Sequence, residues 1–151
     1  MDMPNERPAS AGGWVVSRNG TAAFRTEIHA GAHTLAADEP VAVGGRDTGP
    51  TPYDLLLGAI GACTAMTVRM YAARKQWPLA SVEVAMRSAR THAADCAECA
   101  DQGPLAPLRL ERRVVFEGPL TEAQRERLLW IADRCPVKQA LGRGTVVVPA
   151  A

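Results

Sequence analysis

The chain lacks most of the features that assign a function directly. Aromatic residues make up 5% of its 151 positions, and four cysteines are too few for a disulfide scaffold, so free thiols in a reducing compartment are expected. Charge of one sign is missing as well. Lys and Arg number 17 against 16 Asp and Glu, a net charge of +1, and the arginines are scattered. A protein that neutralises phosphates carries clustered positive charge, so no nucleic-acid partner is expected. The longest apolar run, Leu55 to Val68, is bounded by Asp54 and Arg69 and falls short of the roughly 20 residues of a membrane span. It is expected to be a buried helix, not a membrane anchor. The first residues, 1–13, are polar and rich in Pro, Ala and Gly with no apolar core of a signal peptide. They are expected to form a flexible tail ahead of a single domain over 14–151, located in the cytoplasm.

At 47% hydrophobic residues the chain has enough apolar surface to build a core without metal or disulfide support. Strand signals open it. Val15 and Val16 lead to Asn19-Gly20, a dipeptide favoured in two-residue hairpin turns. The chain is expected to return over Thr21–His29, turn at Gly31 and add a strand near Ala32–Ala36. Glu39 to Thr51 is a Gly- and Pro-rich loop. Thr51-Pro52 then has the form of a capped helix start, and the helix is expected to run to about Lys75. Small residues at Gly58, Ala59, Gly61, Ala62 and Ala65 would let another backbone approach it. Val82, Val84 and Met86 alternate as in a half-buried strand. His92 to Pro107 is expected as a polar loop and Leu108 to Glu117 as a strand. A capping box at Thr121–Gln124 opens a second helix to about Cys135. A turn over Val137–Leu141 and a strand over Thr145–Val148 close the chain. Without regular βαβ alternation, this order is α+β.

Chemistry concentrates in the thiols. The neighbours of Cys63 on its helix face are Leu56, Ala59, Ile60, Met66, Thr67 and Met70, with no charge within two turns. That setting describes a packed small hydrophobe with a raised pKa. Reactivity would require a cation from outside the helix, for which Arg18, Arg25 and Arg46 are placed. Cys135 is expected at a helix C-terminus, where partial negative charge disfavours a thiolate. It suits either a resolving thiol or a buried helix-closing residue. Cys96 and Cys99 form Cys-x-x-Cys beside His92 and Asp95, half of a zinc site whose other half is missing, or a disulfide. The run Gly44-Gly45-Arg46-Asp47-Thr48-Gly49 lacks both the P-loop ending and the Rossmann spacing. There is no Gly-x-Ser-x-Gly.

Two blocks carry a resemblance. The stretch from Gly44 through Gly49, Pro50, Thr51, Pro52, Tyr53, Asp54 and Leu55 to Cys63 and Thr67, together with Ile131-Ala132-Asp133-Arg134-Cys135-Pro136-Val137, resembles the two cysteine motifs of the OsmC/Ohr family, the osmotically inducible and organic hydroperoxide resistance proteins. The resemblance implies an α+β fold in which antiparallel sheets wrap around two long central helices of an intertwined homodimer. It also implies a thiol peroxidase. Cys63 would attack an organic hydroperoxide and become a sulfenic acid. Cys135 would resolve it as a disulfide, and an external dithiol of the lipoyl type would reduce the pair, with no bound cofactor. In the family an arginine from the N-terminal hairpin reaches the first cysteine. Arg18 is the nearest match, with Arg25 or Arg46 as alternatives.

The family's hydroperoxide-resistance members hold that arginine with a glutamate ten residues before the first cysteine. Here the position is Tyr53, and the acid comes one residue later as Asp54, about 100° further round a helix. Asp54 is the candidate arginine partner. Together with Asp95-Cys96-Ala97-Glu98-Cys99, the departure resembles a separate branch of the family. Tyr53, Leu56, Ile60 and Met66 are the residues expected to meet an alkyl or lipid peroxide. A competing reading is a non-catalytic dimeric module that binds an apolar or thiol-bearing small molecule. A third is zinc or disulfide regulation through Cys96 and Cys99.

Overall fold

The computed structural model describes residues 13–99 and 107–149. The expected tail, apart from Gly13, lies outside them. The chain divides into two compact units, residues 1–55 with 90–105 and residues 56–89 with 106–151. Helix and sheet are mixed in the expected α+β manner.

In the first unit β1 (Val15–Asn19), β2 (Thr26–Ala30) and β3 (His33–Ala37) form an antiparallel meander in which Val15 pairs with Ala30 and Ala30 with His33. The expected turn at Asn19-Gly20 is not there. Asn19 pairs with Thr26, and residues 20–25 form a wider loop. The Asn19 amide organises that loop by donating to the carbonyls of Ala23 and Arg25 at 3.2 and 3.1 Å. The two-residue turn is at Gly31-Ala32 instead, where Gly31 takes φ +61°, the positive value a type II′ turn asks of its first central residue.

Beyond a 3-10 turn at Val41–Val43, the loop to Pro50 folds around the Asp38 carboxylate, which is 2% exposed. Asp38 Oδ1 accepts from the Glu39 N–H at 2.8 Å. Its Oδ2 accepts from the backbone N–H groups of Arg46 and Thr48 and from the Thr48 hydroxyl at 2.7 Å. The close wrapping explains the glycines. A Cβ on Gly45 would stand 1.8 Å from the Glu39 carbonyl oxygen, and one on Gly49 2.5 Å from that of Ala36. The Gly-rich run is therefore a structural loop. Thr51 caps α1 (Pro52–Arg74) through a reciprocal box with Asp54: the Thr51 N–H and hydroxyl donate to Asp54 Oδ2 at 3.0 and 2.7 Å, and the Asp54 N–H donates back to Thr51 Oγ1.

The expected polar loop at His92–Pro107 is also corrected. His92–Cys99 is helical, α2, and residues 100–106 lie outside the described ones. Thr91 accepts the Asp95 N–H at its carbonyl and the Ala94 N–H at its hydroxyl. An alanine-rich stretch behind a Thr cap and an acid in the first turn suffices for a short helix.

In the second unit β4 (Ser81–Ser88) pairs antiparallel with β5 (Leu110–Glu117), Val84 opposite Val114. The core joins Val68 and Ala72 of α1 to Leu79, Phe116 and, from α3 (Glu122–Ala132), Leu128, Ile131 and Ala132. The Thr121–Gln124 capping box is present. At Gly61 an added Cβ would meet the Val84 carbonyl and Met86 at 3.7 Å, so β4 lies close against this small residue. By length and composition α1 could cross a membrane, yet Ile60, Gly61, Thr64, Val68 and Ala72 are buried within the chain. Val137–Leu141 is part of a helix, α4 (Pro136–Gly142). Thr145–Val148 is not a strand here, and Val147 is 93% exposed.

The Thr48 hydroxyl, ahead of opposing burial and the backbone donors, holds the Asp38 carboxyl at about 2, below its ordinary 3.8. A carboxylate with a depressed folded pKa contributes stability above its unfolded value, and loses it as pH falls through the folded one. Asp38→Asn also turns an amide N–H toward backbone donors and should destabilise the loop. The stability gap between wild type and variant, read from urea midpoints, should be full above pH 3.8 and shrink as pH approaches about 2. A gap independent of pH would contradict this role.

Candidate functional site

Residues 131–137 decide the position of the second cysteine. α3 ends at Ala132 with Asp133 as its C-cap, and Cys135 is the N-cap of α4, with Pro136 at the first helical position. The expectation of a helix C-terminus that disfavours a thiolate is thereby corrected. Pro136 starts a helix here, as its fixed φ and missing N–H suit it to do. The backbone N–H groups of Val137 and Lys138 face the Cys135 sulfur without closing a full capping hydrogen bond. Asp133, at the end of α3, is clamped by Arg112 at 2.8 Å and Lys138 at 2.7 Å, and Arg112 also donates to the Ala132 carbonyl.

The same joint brings Cys135 against α1. Cys135 is fully buried, its thiol 3.8 Å from the Ile60 carbonyl, to which it can donate. It is a hydrogen-bond neighbour of Cys63 and of Thr64. Both cysteines are free thiols, and Cys63 is half-buried. Two residues 72 positions apart in sequence thus form one site. Thr67, one turn beyond Cys63, donates its hydroxyl to the Cys63 carbonyl at 2.7 Å and also faces the thiol.

The electrostatics of the pair are unequal. Burial, then the hydrogen bond given to Cys135, push the Cys63 thiol above its ordinary range. Burial raises Cys135 too, but the hydrogen bond from Cys63 and the N–H groups of Lys138 and Val137, with Thr64, outweigh it and bring that thiol down. Two such neighbours titrate as a unit. Within the pair, Cys63 is the thiol pushed up and Cys135 the one brought down.

A cavity of about 710 Å³ opens in this unit, walled by Leu56, Ile60, Met86 and Leu110 with Arg112 and Lys138 at its polar side. Ile60 belongs both to this wall and to the surroundings of Cys135. Of the residues expected to meet substrate, Leu56 and Ile60 line the cavity, while Met66 is 64% exposed on α1. Tyr53 lies in the first unit, where its hydroxyl donates to the buried Asp95 carboxylate. That bond, then burial, raises the Tyr53 pKa against the opposing effect of Arg90. Asp54 serves the capping box. Arg18 stands opposite Glu27 in the β1–β2 ladder, Arg25 reaches the Thr48 hydroxyl at 3.1 Å, and Arg46 contributes its backbone N–H to Asp38. Cys96 is an exposed free thiol in the second turn of α2. Sequence reasoning missed Thr64 and the α4 start. The Cys135-Pro136 step was the signal for the latter.

The model of the family described as OsmC-like protein matches residues 45–149. The chain belongs to the OsmC-like family. No curated protein matches it in sequence. Among solved structures, this OsmC-like chain is similar to an OsmC-like protein from Mycoplasma pneumoniae, with TM-score 0.67 and 16% identity over 87% of this chain and 86% of that one. It is also similar to an organic hydroperoxide resistance protein OsmC from Legionella pneumophila, with TM-score 0.62 and 20% identity over 87% and 90%. The organic hydroperoxide resistance protein OhrB of Bacillus subtilis matches with TM-score 0.54 and 21% identity over 88% and 91%. At these identities the neighbours establish the OsmC-like fold.

Replacing Cys135 tests the asymmetry of the pair. In a Cys96→Ser/Cys99→Ser background, where only the pair titrates, thiolate ultraviolet absorbance should show two steps. Adding Cys135→Ser should leave one step, lying below the higher of the original two, because the acceptor that holds the Cys63 proton is gone. An unmoved midpoint would contradict the arrangement.

Proposed function

We propose that this OsmC-like protein is a thiol-dependent peroxidase that reduces alkyl or lipid hydroperoxides in defence against oxidative stress. The observation that carries the reading is the juxtaposition of Cys63 and Cys135 beside an apolar cavity. Cys63 passes its proton to the Cys135 thiolate and attacks the terminal peroxide oxygen. The S–O bond forms as the O–O bond breaks, and the alcohol leaves after taking up a proton. The Cys135 sulfur then attacks the sulfenic acid, the S–S bond forms, and water leaves with the Cys135 proton. An external lipoyl-type dithiol reduces the disulfide by exchange. No bound cofactor enters.

A raised Cys63 pKa calls for a cation in the working enzyme. Arg18 is our first assignment, with Arg25 or Arg46 as alternatives, and Asp54 is the candidate to orient it. The leucines and Ile60 around the cavity would take the alkyl part of the peroxide, at about 0.8 kcal/mol per buried methylene, which favours organic peroxides over hydrogen peroxide. The working form would be a homodimer in a reducing, cytoplasmic compartment. Ala59, Ala62, Met66 and Met70 recur at helical spacing along α1 and are exposed in the single chain, a face suited to the same helix of a second copy. The exposed valines 146–148 offer a β-prone segment to a neighbouring sheet.

Mass spectrometry after brief exposure to about one equivalent of cumene hydroperoxide tests the chemistry. Wild type should form a Cys63–Cys135 disulfide, faster than with hydrogen peroxide. Cys63→Ser should abolish peroxide consumption, and Cys135→Ser should stop at a sulfenic or over-oxidised Cys63 after one turnover. Four unmodified thiols would instead support a non-catalytic binding module. For assembly, sedimentation should give a dimer for wild type and a shift toward monomer for Met66→Arg. A monomeric wild type would refute the dimer.

A further inference from the structure

We propose that a basic and aromatic face of α3, built on Arg127, Trp130 and Arg134, docks an acidic segment of the protein that brings the reducing dithiol. The partner's task rests on the peroxidase reading; the surface that recognises it is read from this unit alone. Arg127, Trp130 and Arg134 are three and four residues apart, so they follow one stripe of α3 and the turn that ends it. The indole is 42% exposed, and the guanidinium carbons of Arg127 and Arg134 stand 3.9 and 3.0 Å from its ring centre. Arg127 also donates from Nε to the Tyr71 hydroxyl at 3.1 Å, and the Lys75 ammonium lies 5.9 Å from the Tyr71 ring centre. The Arg127 hydrogen bond, working against burial, and then the charges of Arg127, Lys75 and Arg74 lower the Tyr71 pKa.

Arg74, Lys75, Arg127 and Arg134 thus gather around Tyr71 and Trp130, and among the described residues none of the four is ion-paired with a carboxylate. The acids of α3 do not supply one. Glu122, Glu126 and Asp133 follow a separate stripe of the helix, and Asp133 is taken by Arg112 and Lys138. Cations held in place by rings instead of carboxylates are pre-organised for an anion from outside the chain. A guanidinium lying over a ring keeps its N–H edge for a carboxylate. A single-stranded nucleic acid would instead need a free ring on which to stack a base, whereas Trp130 meets one guanidinium from the preceding turn and one from the following turn. The net charge of +1 is also low for phosphate-driven binding. The carboxylates of an acidic protein segment fit best.

The stripe ends at Arg134, the residue before Cys135, so a docked segment is held beside the joint that carries the second thiol. Opposite charge raises the rate of encounter and loses that effect as salt rises. Once the partner is docked, one of its thiolates attacks a sulfur of the Cys63–Cys135 disulfide, and that S–S bond breaks as a mixed disulfide forms. The partner's second sulfur then closes the partner's own disulfide and releases the remaining cysteine. Two electrons and two protons pass from the dithiol to Cys63 and Cys135.

The test uses the full chain in the Cys96→Ser/Cys99→Ser background, with the Cys63–Cys135 disulfide formed by diamide and its reduction followed by mass spectrometry. Two synthetic peptides share one Cys-x-x-Cys dithiol, flanked in one by glutamates and in the other by lysines. Each rate is normalised to that peptide's reaction with a small neutral disulfide. The glutamate peptide should reduce the protein at least about tenfold faster at low salt, an advantage that fades as salt screens the charges. Arg127→Ala/Arg134→Ala should remove most of it; both residues are exposed, so the core is untouched. Arg109→Ala/Arg113→Ala, the same change of net charge elsewhere, should keep it. Fluorescent oligoglutamate, which needs no disulfide, should bind the reduced chain and bind the Arg127→Ala/Arg134→Ala variant more weakly. Equal rates for the two peptides, an advantage that survives Arg127→Ala/Arg134→Ala, or tighter binding of single-stranded DNA or anionic vesicles than of oligoglutamate would each overturn the proposal. Because diamide supplies the disulfide, a chain that ignores hydroperoxides would sink the peroxidase reading alone.

Discussion

The candidate peroxidatic site depends on the packing of the α3–α4 joint against α1. Leu128, Ile131 and Ala132 are buried with Val68 and Ala72, and this apolar contact presses Cys135 onto the backbone of Ile60. Nothing polar is strong enough to set that position alone: a thiol is a poor donor and acceptor. Burial of the flanking hydrophobes places the sulfur, and the hydrogen bonds around it then set its charge. The Asp133 clamp to Arg112 and Lys138 pins the short bend between the helices, so the N–H groups at the start of α4 stay aimed at the thiol. The same packing leaves Cys63, one turn along α1 from Ile60, facing Cys135.

The first unit is organised by a different force. Its centre is a carboxylate, Asp38, whose two oxygens gather the N–H groups of Glu39, Arg46 and Thr48 and the Thr48 hydroxyl. A Gly-rich loop that resembles a phosphate cradle by composition is instead wrapped on an internal anion, and its glycines answer to carbonyl oxygens that leave no room for a Cβ. Arg25 holds the outside of the loop through Thr48. The chemistry-bearing residues of this unit, Glu39, His92, Asp95 and Cys96, are brought together by α2, a helix whose Thr91 cap and alanines were present in the sequence but outweighed by its polar character.

Elements with a strong local cause were legible in advance. Thr51-Pro52, the Thr121–Gln124 box and the alternation of Val82, Val84 and Met86 each specify a local geometry, and each is where it was expected. The misplacements share a cause too. Asn19-Gly20 allows a tight turn but does not enforce it, because strand register is settled by which residues downstream can pair, and β2 starts only at Thr26. Thr145–Val148 has strand-forming residues, yet a strand exists only where another edge supplies its hydrogen bonds.

The sequence by itself determined the α+β character, the family through two cysteine motifs, and the identity of the two thiols, because these depend on residue type and short spacing. Only the tertiary structure decided which of those thiols is pushed up and which is brought down. A pKa is a property of what surrounds the atom, and Thr64, Val137 and Lys138 reach Cys135 through folding, while Cys63 acquires its raised pKa from burial and from Cys135. The same holds for Glu39, an ordinary loop glutamate in the sequence, which is buried and paired with His92 at 2.8 Å only once α2 has closed over it.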